Sequence, residues 1–212
     1  VLRGVVQRGS VQSLEAVLFY ADLRGFTQLA DSTPIAELVS MLDDYLDCMA
    51  GPVERRGGSV LKFMGDGLLA TFGLGDSRRS DVCRTALDAG AEAIAAVARL
   101  NQDRVAAGKA SMQLDLALHL GEVMYGNIGS RERLDFTVIS SSVNETSRLE
   151  GLCKTLGARL LFSETFAVAT ARQDLVDLGE HDLKGVSSKR RVFTLDGFTS
   201  AVAVMRPVSS ST

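Results

Sequence analysis

The stretch Val60-Leu61-Lys62-Phe63-Met64-Gly65-Asp66-Gly67-Leu68-Leu69-Ala70-Thr71-Phe72 reads as two short apolar strands around a tight turn. Gly-Asp-Gly supplies the residue types a hairpin turn demands, and the runs 60–64 and 68–72 have strand length. A hairpin is antiparallel, so this stretch excludes a purely parallel sheet. Upstream, residues 16–21 form an apolar run that stops at Asp22. Thr33-Pro34 then offers an N-cap and a first helical position. Ile35, Leu38, Val39, Leu42, Leu46 and Met49 follow at helical spacing, up to a break at Gly57-Gly58. Downstream, Ser80 or Asp81 caps a second helix with Val82, Ala86, Ala89, Ala93, Val97 and Leu100 on one stripe. Residues 112–119 alternate as a strand, 121–129 are punctuated by glycine, and 134–139 form another strand. Residues 143–156 read as a helix and 160–162 as a short strand, with weaker strand signals at 175–178 and 191–195. This order predicts an α+β fold: a mixed, mainly antiparallel sheet with helices on one face.

The 212 residues are 46% hydrophobic and 23% charged, enough for one domain with a full core and unlike a disordered tail. Residues 1–14 read as a linker or the end of an upstream region, 15–198 as the domain, and 199–212 as a flexible tail. Lys and Arg number 23 against 26 Asp and Glu, a formal net charge of −3. A nucleic-acid polymer is therefore not the expected partner, whereas a small anion needs only a few placed cations. Cys48, Cys83 and Cys153 are far apart, and His119 and His181 lack metal-ligand spacing. This pattern argues against a disulfide framework and a thiolate zinc site, and free thiols point to a reducing, cytoplasmic setting. No run has the length of a membrane span, and the start does not read as a signal peptide. The chain begins without Met, so it reads as part of a longer protein, with an upstream sensor or membrane region open. No GxGxxG follows the first strand and no GxxxxGK[ST] occurs, which excludes dinucleotide and P-loop chemistry.

Two carboxylates stand out by position: Asp22, at the end of the first strand, and Asp66, in the hairpin turn. Singly, Asp22 reads first as a strand terminator and Asp66 as a turn aspartate. Side by side, with no histidine or thiolate near, they make a hard-cation site that could clamp a phosphoryl group. Lys62 interrupts an apolar strand four residues before Asp66, as an edge lysine or as a donor to a ligand. Asn144 and Arg148, four apart, share one helix face and suit a hydroxyl and an oxyanion, or simply water. Lys184, in Leu183-Lys184-Gly185, alone reads as an exposed loop lysine.

Together these residues resemble the catalytic domain of class III nucleotidyl cyclases. The resemblance runs over about residues 16–197. It rests on Phe19-Tyr20-Ala21-Asp22-Leu23-Arg24-Gly25-Phe26-Thr27, on Leu61-Lys62-Phe63-Met64-Gly65-Asp66-Gly67 and on Val143-Asn144 with Arg148, in this order. It implies a ferredoxin-like (palm-type) fold and an adenylyl cyclase, which converts ATP to 3′,5′-cyclic AMP and pyrophosphate. It implies that Asp22, Asp66 and the backbone carbonyl of Leu23 hold two Mg²⁺ or Mn²⁺ ions per site. Phe26 and Thr27 match the turn that approaches the phosphates. Lys62 and Thr137 match the base-reading pair, Asn144 the ribose-orienting residue, and Arg148 the arginine that stabilises the charged phosphates. Lys184 matches a lysine on the terminal phosphates.

In this family one domain supplies the metal aspartates and a second supplies the base-reading pair, Asn and Arg. This chain carries both sets, so the resemblance implies a head-to-tail homodimer, with the stretch 121–129 and Ile128 as an arm to the partner. Lys62 with Thr137 favours adenine, since guanylyl members typically carry Glu and Cys. Members with Thr at the second position form a subgroup, several of which respond to bicarbonate, so bicarbonate activation is an expectation here. The sequence departs from the family at Ser140-Ser141-Ser142, where Gly-Asp is common, and at Glu145 and Thr146, where small residues usually follow the Asn. The competing readings are a weak or inactive nucleotide-binding module of the same fold and a guanylyl cyclase. A diguanylate cyclase would need a Gly-Gly-[Asp/Glu]-Glu-Phe hairpin, which Gly65-Asp66-Gly67 is not.

Overall fold

The computed structural model describes residues 11–129 and 134–199, with backbone alone at residues 11, 127–129 and 134–137. The elements are β1 (Val11–Leu23), α1 (Phe26–Ser32), α2 (Ile35–Arg55), β2 (Ser59–Met64), β3 (Gly67–Gly73) and α3 (Arg79–Ala106). They continue with β4 (Leu114–Gly129), β5 (Leu134–Ile139), α4 (Ser141–Glu150), α5 (Cys153–Leu156), β6 (Leu160–Ser163), α6 (Glu164–Thr170), β7 (Leu175–His181) and β8 (Arg190–Leu195). One sheet runs β2-β3-β1-β4-β6-β8-β7, with β5 paired to the far end of β4. Among the described residues only β4 and β6 pair in parallel; every other strand pairing is antiparallel. The fold is thus α+β with a mixed, mainly antiparallel sheet.

β1 is central, flanked by β3 and β4, which is why residues 16–21 are apolar on both faces. Val17, Phe19, Ala21 and Leu23 face the larger core, where α2 buries Leu38, Met41, Tyr45, Met49 and Val53 and α3 buries Cys83, Ala86, Leu87, Ala93 and Val97. Both helices present the apolar stripe that their sequence spacing sets. Ala16 and Leu18 face the other side, with Leu69, Val123 and Val138.

Helices on one face was the expectation; the structure places them on both. α4 and α5 pack Leu149 and Cys153 against Ala117, Leu161 and Val192, across the sheet from α2 and α3. The second face of β4 presents Asp115, Ala117 and His119, which alternation reads as a solvent face although all three are buried, and the small Ala117 leaves room for a helix. The expected single helix 143–156 is two helices, α4 and α5, interrupted at Gly151 and Leu152. The expected linker boundary also moves: β1 begins at Val11, with residues 11–14 pairing Gly126 to Val123 of β4. The glycine-punctuated stretch 121–129 is the second half of β4, hydrogen-bonded to β1 and then β5. Helices α1 and α6, of seven residues each, are too short for a periodic signal. Among the described residues no helix is long and apolar enough to cross a membrane.

Tyr45 is fully buried in the larger core, and its hydroxyl meets no hydrogen-bond partner among the described residues. A buried hydroxyl without a partner costs free energy that a phenyl ring does not. Tyr45→Phe should leave stability unchanged or raise it by about 1 kcal/mol in urea unfolding. A loss of more than about 1 kcal/mol would reveal a partner for that hydroxyl.

Candidate active site

Asp22 and Asp66 meet because β1 and β3 are in antiparallel register, with Ala21 opposite Leu68. The register brings the end of β1 to the turn between β2 and β3. That turn is two residues long, and Gly65 takes a φ of 67° that a side chain would strain. Gly67 matters for a different reason: a Cβ there would lie 3.1 Å from Asp22 Oδ1 and 3.1 Å from the Ala21 carbonyl oxygen. The missing side chain is what lets the turn close on the carboxylate.

The two carboxyls are in hydrogen-bonding contact and titrate as a pair. Asp22 is pushed up to about 6, first by burial and then by the charge of Asp66, against an opposing hydrogen bond from the Leu23 amide. Burial also raises Asp66. Glu150, at the end of α4, is pushed up to about 7 by burial and by Asp22 and Asp115. Tyr20, on β1, is hydrogen-bonded to Ser147 of α4 and close enough to feel Asp22, Glu150 and Asp66. This corner of the protein therefore gathers negative charge. Its cation, Arg24, is committed elsewhere: Nε lies 2.6 Å from Asp115 Oδ2 and Nη2 2.7 Å from Oδ1. That fork, with the Arg24 amide on the Gln113 carbonyl at 2.8 Å, ties the chain just after Asp22 to β4.

Beyond the fork, Gly25 takes a φ of 79° and turns the chain into α1, so the unpaired first-turn amides of Phe26 and Thr27 follow within five residues of Asp22. Leu23 is buried, Phe26 packs on the larger core, and Thr27 is exposed. Two carboxylates with a neighbouring backbone carbonyl are an all-oxygen donor set, which suits a hard divalent cation. Among the described residues no three His, Cys, Asp or Glu side chains group closely enough to hold a metal on their own.

The second set of residues converges by a different route. β2 carries a bulge between Val60 and Lys62, so that Val60 pairs Ala70 while Lys62 pairs Leu69. The bulge puts Lys62 on the face of Leu69 and α4; uninterrupted alternation would have put it on the face of Val60 and α2. Thr137 lies in β5 opposite Gly126, and β2 lies against β5. Leu61, Val138 and Val143 are the chain neighbours of Lys62, Thr137 and Asn144, and all three belong to one small apolar cluster. That cluster brings together the stretches of chain that carry the three residues. The side chain of Thr137 is outside the described residues, as is that of Ile128.

Asn144 and Arg148 are both exposed, on one side of α4. Ser140 caps that helix, its Oγ accepting from the Val143 amide at 3.3 Å, so the Ser140-Ser141-Ser142 departure still makes a helix start. The buried side is Thr146 and Leu149. Arg148 and Glu150 are two residues apart and so roughly opposite on the helix, and the cation that acts on Glu150 is Arg24. Lys184 is exposed at the corner of a turn closed by the Val186 amide on the Leu183 carbonyl at 2.9 Å, with Gly185 at a φ of 81°. It lies between β7 and β8, at the opposite edge of the sheet from Lys62 and Asp66.

Sequence reasoning missed three contributors. Asp115 is a lone charge within an apolar strand and could have been flagged as paired; Arg24 is its partner. Glu150 carries no local signal, and Gly67 reads as a turn residue without revealing its close approach to Asp22, which arises only in the tertiary structure.

Residues 10–197 match the sequence profile of the adenylate and guanylate cyclase catalytic domain. An adenylate cyclase of Anabaena cylindrica is 30% identical over 164 residues, which is 76% of this chain and 32% of that protein. The chain thus spans about a third of that relative's length. The adenylyl cyclase CyaB of P. aeruginosa superposes with a TM-score of 0.79 at 26% identity, covering 88% of this chain and 95% of that one. The guanylyl cyclase Cya2 superposes with a TM-score of 0.76 at 28% identity, covering 90% and 95%.

The raised carboxyls give a cation test that is independent of turnover. A carboxyl whose pKa rises on folding favours the folded state when protonated, and that contribution is lost as pH rises through about 6 for Asp22 and about 7 for Glu150. Mg²⁺ or Mn²⁺ should therefore raise Tm by roughly 2–4 °C at pH about 8, and by much less at pH about 5.5. His119 works the other way, since burial lowers its pKa and its stabilisation fades below about 6.5. The comparison is therefore the cation-induced shift in the wild type against that in Asp22→Asn/Asp66→Asn, which should show none. An equal shift in that variant would contradict cation binding at the pair.

Proposed function

The chain belongs to the adenylate and guanylate cyclase family, and from that premise we propose that it is an adenylyl cyclase domain. It converts ATP to 3′,5′-cyclic AMP and pyrophosphate as a head-to-tail homodimer. The observation that carries this is the opposed facing of two residue sets in one chain. Asn144 and Arg148 look outward from α4, while Asp22, Asp66, Tyr20 and Glu150 cluster on its other side. A chain with both sets, turned apart, completes a site with a second copy, and a two-fold axis then gives two equivalent sites. The exposed cross-strand pair Met124 and Ile139 on β4 and β5, and the exposed Phe63 on β2, offer apolar surface for that contact.

Asp22, Asp66 and the Leu23 carbonyl hold divalent cations, two per site, as Mg²⁺ or Mn²⁺. When bound, these lower the pKa of the ribose 3′-hydroxyl and offset the triphosphate charge. The chain's own residues do the rest. The amides of Phe26 and Thr27 meet the phosphates, and Lys184 meets the terminal ones. Lys62 donates to adenine N1, and the Thr137 hydroxyl accepts from the exocyclic amine. Guanine offers the reverse polarity at both atoms and is disfavoured. Asn144 orients the ribose so that its 3′-oxygen attacks the α-phosphorus in line. Arg148 stabilises charge on the phosphate oxygens as pyrophosphate leaves. On the same reading, and on Thr137 alone, bicarbonate at fixed pH should raise the rate.

The test is product analysis by chromatography after incubation with ATP or GTP and Mg²⁺ or Mn²⁺. ATP should give cyclic AMP and equimolar pyrophosphate, with kcat/KM at least about tenfold above GTP, and Lys62→Glu should narrow that preference. Mainly cyclic GMP would overturn the base assignment but keep the cyclase. No cyclic nucleotide from either substrate would overturn the enzyme reading.

A further inference from the structure

Glu145 sits between Asn144 and Thr146, in a stretch where the family resemblance favours small residues. Its carboxylate is mostly buried, and its Oε1 lies 2.8 Å from Nε of Arg190, the first residue of β8. Arg190 is itself held by Ser188, whose hydroxyl accepts from Nη1. The pair thus joins α4 to the strand beyond β6, and His119 lies beneath it, buried and acted on by both charges.

The position of Glu145 gives the pair a purpose other than tethering. Glu145 is three residues before Arg148, the one cation within α4. Glu followed three residues later by Arg is a favoured ion pair on a helix surface, in the favoured direction. Left to itself, Glu145 has Arg148 as its nearest partner along the helix. It would then both occupy the guanidinium and hold a negative charge beside an incoming triphosphate. Arg190 removes that option by taking the carboxylate toward β8.

We propose that Arg190 is a positioning residue that keeps Glu145 off Arg148, so that Arg148 is available to the substrate phosphates. The inference rests on Arg148 acting on those phosphates, as set out above. Arg190 itself touches no reacting atom. Its effect is on the charge that substrate meets, and it runs through Glu145 alone.

This predicts a dependence that a tether would not show. Arg190→Gln should lower kcat/KM for ATP about three- to tenfold, because Glu145 is freed to compete for Arg148 and repel the phosphates. Glu145→Gln alone should stay within about twofold of wild type. Arg190→Gln/Glu145→Gln should return to within about twofold of wild type, since the competing carboxylate is gone. The Arg190→Gln defect should shrink when salt is raised to about 0.5 M. Should Arg190→Gln fail to fold, Arg190→Met, which keeps the aliphatic stem, serves in its place with the same expected rescue. A double variant as slow as Arg190→Gln, or Arg190→Gln at the wild-type rate, overturns the proposal. Arg148→Ala separates this from the underlying reading. If it abolishes turnover and the rescue is absent, only the proposal about Arg190 fails. If it remains active, the role of Arg148 fails and the proposal falls with it.

Discussion

The structure depends on holding two carboxylates against each other. Asp22 and Asp66 repel when ionised, and burial makes the repulsion stronger. The fold keeps them together by means unrelated to charge. The β1–β3 register brings the strand end to the turn, and Gly67 leaves the space that a Cβ would fill. The fork from Arg24 to Asp115 fixes the following turn, at the cost of using the cation that could have offset the pair. What remains is a preorganised, oxygen-only, negatively charged corner, which is the state in which a divalent cation is worth most.

The same sheet builds a second, separate feature. The bulge at Leu61 and the small cluster of Leu61, Val138 and Val143 bring Lys62, Thr137 and Asn144 into one region. α4 then decides how the two regions relate. Its buried side meets β1, β4 and β6, its Ser147 and Glu150 side looks toward the carboxylates, and its Asn144 and Arg148 side looks away. On the proposed reading each chain is a half-site twice over, and the dimer would be the catalytic unit.

Much of this was legible in the sequence, and the limits have physical causes. The hairpin over 60–72 was readable because turn chemistry is local, and so were the positions of Asp22 and Asp66 at its mouth. The facing of Lys62 was not, because a bulge breaks the period-two rule and leaves no mark in an apolar run. The Arg24–Asp115 fork joins residues 91 apart, and Glu150 acquires its raised pKa only once α4 crosses β1. The placement of helices on both faces was hidden because the second face of β4 carries Asp115 and His119, which look solvent-facing in sequence yet are buried. Residues 11–14 looked like a linker because Gln12 and Ser13 interrupt any apolar run, yet they extend β1 by backbone pairing, which polar side chains permit.

The central claim is that one site takes its carboxylates from one copy and its Asn144 and Arg148 from another. Mixing folded Asp22→Ala and Arg148→Ala chains, each inactive alone, tests it directly. The account predicts that the mixture regains activity through heterodimers that hold one intact site of two, approaching about a quarter of the wild-type rate at equal mixing. A mixture as inactive as its parts, with heterodimers shown to form, would contradict a site shared between two copies.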